Sequence, residues 1–511
     1  MKNAIRLNEH SVISLLADKS NNIYASESGI LATKGSTASM IVHYHESDES
    51  NLESTLKNNI FVNKEYFNDE DAFGVKAIDG SIINITSQDN TEVSDQDKKY
   101  IPTINTTINV QAISGNVIGI IADDSSNTTG QDSQIKIDGN NLSIIAMGLI
   151  NDNSSEKISA IESISDGTRY SKVDATLLSD IDVSVSGNTQ NGYGLKAENG
   201  GVIILNSTNG GYVNINVNTD NVNQQTGYGI YSSGDVDVTS VKNTIIASLD
   251  GVNFSSGTVD ITSSATSLLS RSIDKVSDYN IIIGSDGTGV HAAKGADGEF
   301  NAIATSGDNC IAGAENAIWS EPSEEVKEPK ILVKAEYGSN LIGFDKYENV
   351  DGVVGKNGIY AQSGEVTIKA GVGNVVNSYQ KGIFVDNLAK VNLISGELNL
   401  ITANDTSKKN TYEYFGNGYA IYSSNEGSVT LEAGDTNQLV GAVYASGSDT
   451  NVFIGGSEED ENRAARENLI YSYAYISGAG DLGDDPEGAF GGKNVISALY
   501  AEGGANIELS G

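Results

Sequence analysis

The sequence predicts an all-β fold, a single-stranded right-handed parallel β-helix of about 22–24 residues per coil with polar loop insertions. Three observations lead there: a short phrase that recurs along the chain, a strand-like phrase that follows it, and a composition of 56 Gly but only 4 Pro, rich in Ser, Thr, Asn and Asp. That composition favours many short strands joined by polar turns. One continuous solenoid over residues 1–511 is the expected organisation, because stacked repeats escape the limit that splits globular chains beyond roughly 250–300 residues into separate cores. Disorder competes for an acidic, polar chain, but here Ile, Val and Tyr recur in register.

The recurring phrase is a small residue, an aliphatic, a variable residue, then Ala, Ser or Val. Its copies are NIYA (from Asn22), GVKA (Gly74), GIIA (Gly119), GLKA (Gly194), GIYS (Gly229), GVHA (Gly289), AIWS (Ala317), GIYA (Gly358), GIFV (Gly382), AIYS (Ala420), AVYA (Ala442) and ALYA (Ala498). The aliphatic and the residue two places later must point inward, because the residue between them accepts Lys76, Lys196 and His291. Gly ahead of them suits a positive φ or a close backbone approach. Asn243, Asn374 and Asn437 suit corners for the same reason.

A second phrase alternates apolar and polar residues, as in GEVTIKAG from Gly364 and GSVTLEAG from Gly427, the period-2 signature of a half-buried strand. A third, weaker one carries two or three aliphatics after Asn or a neighbour, as in NVV from Asn374. Three strands per repeat follow. Gly358 to Gly382 spans 24 residues and Ala420 to Ala442 spans 22, which sets the coil length. The 45 residues from Gly74 to Gly119 read as two coils with one phrase eroded. With coils about 4.8 Å apart, roughly twenty of them would make a rod on the order of 100 Å long. No register is legible for residues 40–73, 123–172 or 261–279.

Some segments depart from the pattern. Residues 1–20 read as a short helix or irregular lead-in, a poor signal peptide whose apolar patch from Val12 to Ala17 is broken by Ser14. ANDTSKKNTYEYFGNG (Ala403 to Gly418) and SEPSEEVKEPK (Ser320 to Lys330) read as loops, and SEEDENRAARENLIYS (Ser457 to Ser472) as a helical insertion.

The charge of −37 argues against nucleic acid and anionic lipid as partners. Neither a calcium-binding nonapeptide nor an EF-hand loop is present, and no apolar run is long enough to span a bilayer. Cys310 is the only cysteine, which rules out an internal disulfide and reads as a buried thiol. His43 and His45 share a strand face without a third ligand. Asp484 and Asp485 form an acidic turn rather than a hydrolase pair, and no serine-nucleophile elbow is present. We therefore expect no catalytic residues, no metal and no cofactor.

The candidate site is the variable place of the phrase, which toward the C-terminal end reads Trp319, Tyr360, Phe384, Tyr422, Tyr444 and Tyr500. Stacked identical positions stabilise a solenoid in themselves, and an exposed aromatic row is also a natural contact surface.

The GIYA phrase with its VTIKAG strand, the Gly- and Asn-rich corners, the acidic balance and the near absence of Cys resemble the passenger region of bacterial autotransporters, which have a pectin-lyase-like parallel β-helix. The resemblance spans nearly the whole chain. It implies type V secretion through a C-terminal translocator β-barrel outside this segment, display on the outer membrane at the cell surface, and adhesion to a surface glycan or protein ligand by a monomer. Passengers share no catalytic motif, so it implies no site residues. Two alternatives differ in class. A polysaccharide-degrading β-helix enzyme would release product from glycans, and a phage or secreted fibre protein would form trimers.

Overall fold

The computed structural model describes residues 2–17, 20–43, 56–65, 71–88, 104–126, 129–149, 155–168, 170–221, 224–264, 278–323, 328–347, 350–403, 418–456, 467–471 and 499–510. The chain divides into two compact units, Met1–Asp278 and Tyr279–Gly511. Each is an all-β parallel β-helix, and no helix occurs among the described residues.

One turn of the second unit shows the plan. Asn357–Ala361 lies on a first face, Glu365–Ala370 on a second and Gly373–Ser378 on a third, before Lys381–Val385 returns to the first. Each strand pairs in parallel with its equivalent one turn on, Ile359 with Ile383, Val366 with Val391 and Val376 with Ile401. The first unit repeats the plan, with Ile230 beside Val252 and Val236 beside Val259.

Alternation along each strand sends one set of side chains inward. In Glu365–Ala370, Val366, Ile368 and Ala370 are buried while Thr367 and Lys369 face out. Register then stacks like on like: Phe300, Ile331, Val366, Val391, Val429 and Val452 form one interior column in the second unit. Ile83, Ile135, Val173, Ile203, Val236 and Val259 form another in the first. None is more than 2% exposed, and burying each such side chain contributes about 1.5–3 kcal/mol.

The third face adds a polar interior column. In the second unit Asn280, Asn309, Asn340, Asn374, Asn399, Asn437 and Asn468 stack, each Nδ2 donating to the Oδ1 of the next at 2.8–3.0 Å. Those amides also donate to backbone carbonyls, Asn374 to Ile394 and Asn399 to Glu432. Asn374 and Asn437 are therefore not corner residues with left-handed backbone. They are buried rungs, and a side-chain amide that both donates and accepts can extend such a chain from turn to turn. Asn243 is buried likewise, accepting from Ser240 and donating to the Thr262 carbonyl.

The phrase glycines owe their place to close approach. A Cβ at Gly358 would lie 2.6 Å from the Gly382 carbonyl oxygen and 2.4 Å from Val376 Cγ1. Among non-glycine residues, positive φ belongs instead to the corners between first and second faces, such as Asn387 and Leu388 at 54° and 65°.

Several expectations change. The described residues within 1–20 are neither helix nor irregular lead-in: Asn3–Leu7 and Val12–Ala17, with Ser20–Ala25, form a full turn, paired with Ser28–Ala32, Thr37–His43 and Leu56–Lys64. In Val12–Ala17 both alternate sets are mostly apolar, which hides the strand period. The NIYA copy sits on the third face, with Ile23 beside Ile60, and the first-face strand that follows it, opening the next turn, is GILA, with Ile30 beside Val75. Any strand with inward Ile, outward Tyr and inward Ala satisfies that pattern. Gly74 and Gly119 are one turn apart, since Val75 pairs directly with Ile120. No coil intervenes between them. Among the described residues the first face holds eight strands in the first unit and seven in the second, fewer than the roughly twenty coils expected from spacing alone. Of the expected helical insertion, residues 457–466 and 472 lie outside the described residues, while Glu467–Tyr471 is a strand paired with Thr436–Val440. Its Asn468, Leu469 and Ile470 continue the third-face stack, which overrides local helix propensity.

Candidate contact surface

The six aromatic residues singled out in the sequence occupy one register position on the first face of the second unit. Trp319 pairs with Tyr360, Tyr360 with Phe384, Phe384 with Tyr422, Tyr422 with Tyr444 and Tyr444 with Tyr500. Strand spacing of about 4.7–4.9 Å brings successive outward rings to stacking distance. Trp319 and Tyr360 stack at 6.3 Å between centroids, Tyr360 and Phe384 at 4.5 Å, Tyr422 and Tyr444 at 4.7 Å, and Tyr444 and Tyr500 at 5.6 Å. Only the Phe384–Tyr422 step is edge-to-face, at 5.1 Å.

Because neighbouring rings take up the faces, the column presents mainly ring edges and phenol hydroxyls outward. That distinguishes it from an open aromatic shelf on which a sugar could lie flat. The middle rings are half-buried.

Residues that sequence reasoning left out complete the surface. His291 extends the column by one rung, 4.3 Å from Trp319 and 10° from parallel, with Nε2 2.9 Å from Glu321. A second outward column, one place ahead of the phrase glycine, brings Lys381 and Tyr419 alongside. The Lys381 ammonium sits 3.5 Å over Phe384 and 4.5 Å from Tyr422, a cation–π contact. Tyr419 meets Tyr422 and Tyr444 edge-on. At the far end Glu502 accepts hydrogen bonds from the hydroxyls of Tyr444 and Tyr500. The place ahead of the phrase varies too widely, from Thr288 through Asn357 to Tyr419, for a pattern search to mark it.

Electrostatics follow from this packing. Burial pushes the phenols of Tyr360 and Tyr422 up, and the nearby Asp386 carboxylate adds to it. Burial, with the hydrogen bond to Glu502, raises Tyr444 to about 12. The same hydrogen bonds, from Tyr444 first and then Tyr500, hold Glu502 below the usual carboxylate range. Burial lowers the Lys381 ammonium against the opposing pull of Asp386.

In the first unit the same position is aromatic only at Tyr231 among the described residues. It runs Lys76, Ile121, Glu162, Lys196, Tyr231 and Asn253, and Glu162 and Lys196 are buried rather than exposed. Outward direction is compatible with burial because the charges are paired: Lys157 lies 2.9 Å from Glu162 and Lys196 lies 2.8 Å from Glu198.

Cys310 is buried and forms no disulfide. No group of three or more His, Cys, Asp or Glu side chains is placed to hold a metal among the described residues. His45, Asp484 and Asp485 lie outside the described residues, as does the side chain of His43. The chain matches no family model, no curated protein and no solved structure.

Proposed function

We propose that this chain is a non-enzymatic, surface-displayed binding protein of the autotransporter-passenger type, acting outside a bacterial cell as an adhesin or display stalk. In this reading it is carried by a C-terminal translocator β-barrel and works as a monomer. The observation behind it is the aromatic column, which concentrates Trp319, Tyr360, Phe384, Tyr422, Tyr444 and Tyr500 on one face. Tyrosine and tryptophan supply large contact area at low conformational cost, and they dominate recognition surfaces for that reason. Since the rings stack on each other, the ligand meets edges, hydroxyls and the carboxylates of Asp386 and Glu502. A protein surface, or a glycan held by hydrogen bonds, fits this better than a sugar stacked flat.

Glycan-array and cell-binding assays on the full chain test the proposal. Tyr360→Ala and Tyr422→Ala should each weaken binding at least roughly tenfold, about 1.4 kcal/mol, while the loss of ring stacking lowers stability by only about 1 kcal/mol. Undiminished binding in both variants would remove the column from the contact surface. Absence of binding by the parent chain would reduce the role to a stalk.

A further inference from the structure

The aromatic column has a chemical asymmetry that ligand binding does not require. At one end stands Trp319, the single tryptophan of the chain, whose indole gives up an electron without losing a proton more readily than a phenol does. Its indole N–H is buried without a hydrogen-bond partner. At the other end Tyr444 and Tyr500 both donate their hydroxyls to Glu502. Between the ends, ring contacts are unbroken through Tyr360, Phe384 and Tyr422.

Loss of one electron turns an indole into a strongly acidic radical cation. With no acceptor for its proton, that cation stays protonated and remains a strong oxidant. A phenol, by contrast, gives up an electron easily only when its proton leaves at the same time. Glu502 offers a base already hydrogen-bonded to two phenols. Electron loss is therefore easier at the Glu502 end once the indole has been oxidised.

We propose that the column is a one-electron relay that carries an oxidising equivalent from Trp319 to the Tyr444–Tyr500 pair. A one-electron radical oxidant, such as a peroxyl radical, takes one electron from Trp319 and becomes its anion. The indole radical cation is then restored by one electron from Tyr444 or Tyr500, by way of Tyr422 and Tyr360. The phenol proton passes to the Glu502 carboxylate and from there to water. Phe384, in contact with Tyr360 and Tyr422, is bridged rather than oxidised, because an unsubstituted phenyl ring is much harder to ionise. The radical ends on exposed phenols, where small reductants in solution can quench it.

Pulse radiolysis of the full chain tests this, with azidyl radicals generated as the indole-selective oxidant. The absorption of the indole radical cation should decay as the phenoxyl absorption grows, at a first-order rate independent of protein concentration. Tyr360→Phe keeps the ring and the stacking but removes the oxidisable phenol, and should slow the transfer at least roughly tenfold. Glu502→Gln removes the proton acceptor, and should cut radical trapping at Tyr444 and Tyr500, located by mass spectrometry of spin-trap adducts, at least roughly fivefold. An unchanged transfer rate in Tyr360→Phe overturns the relay. So does a phenoxyl radical trapped mainly on tyrosines outside the column.

Discussion

Asn374 shows how much a single inward amide does in this fold. Its Nδ2 donates to Asn399 Oδ1 and to the Ile394 carbonyl, while its own Oδ1 accepts from Asn340. Asn374→Ala removes the rung and strips a partner from Asn340 above and from Asn399 below, in a site closed to water. A buried polar group left without a partner costs about 1–3 kcal/mol, so the substitution should destabilise the second unit by about 2–3 kcal/mol. The midpoint of urea unfolding followed by circular dichroism measures it. A loss below about 0.5 kcal/mol would show that water or the backbone takes over the rung. The recurrence of asparagine was legible in the sequence at Asn243, Asn374 and Asn437, but its meaning was not. Corners and interior rungs both favour Asn at one place per turn, and only pairing across turns tells them apart.

At the scale of the strand, the phrase glycines set how closely the first face packs on its neighbours. Ala317, Ala420 and Ala442 occupy the same place in other turns, so one methyl can be accommodated where the whole turn is adapted to it. A branched side chain cannot. Gly358→Val drives carbon against the Gly382 carbonyl and Val376, and overpacking of this kind costs about 1–3 kcal/mol or more. We expect Gly358→Val to lower the unfolding midpoint clearly more than Gly358→Ala, and equal effects of the two would contradict the packing argument. Strands of this type were read correctly where aliphatic and polar residues alternate, as in Glu365–Ala370. The reading failed where apolar residues fill both alternate sets, as in Val12–Ala17, because the period vanishes. The aromatic position was found because one residue type repeats, while its companions Lys381 and Glu502 were missed because none repeats in theirs.

Over the whole molecule the dominant fact is the net charge of −37, to which every ionised phenol adds. Tyr444 holds its proton to about pH 12 in the folded state, against an ordinary value of 10.0, and Tyr360 and Tyr422 are shifted the same way. The folded state thus binds these protons more tightly than the unfolded chain. The resulting stabilisation is complete below pH about 10 and is lost as pH rises through about 12. Urea midpoints should stay level up to the lower limit and then fall, with Tyr444→Phe blunting the fall. A profile flat across that window would count against the packing of the phenols. Coil number was misjudged at this scale because sequence spacing measures strands and connections together, while pairing sees only the strands.

That indifference has a consequence. Ile230 and Val252 are partners across 22 residues, and Ile60 and Ile108 are partners just as directly across 48. Whatever lies between two laps neither stretches nor shifts the join. Evolution, or an engineer, can therefore rewrite the intervening segments for new tasks, foreign epitopes included, without renegotiating the scaffold beneath them.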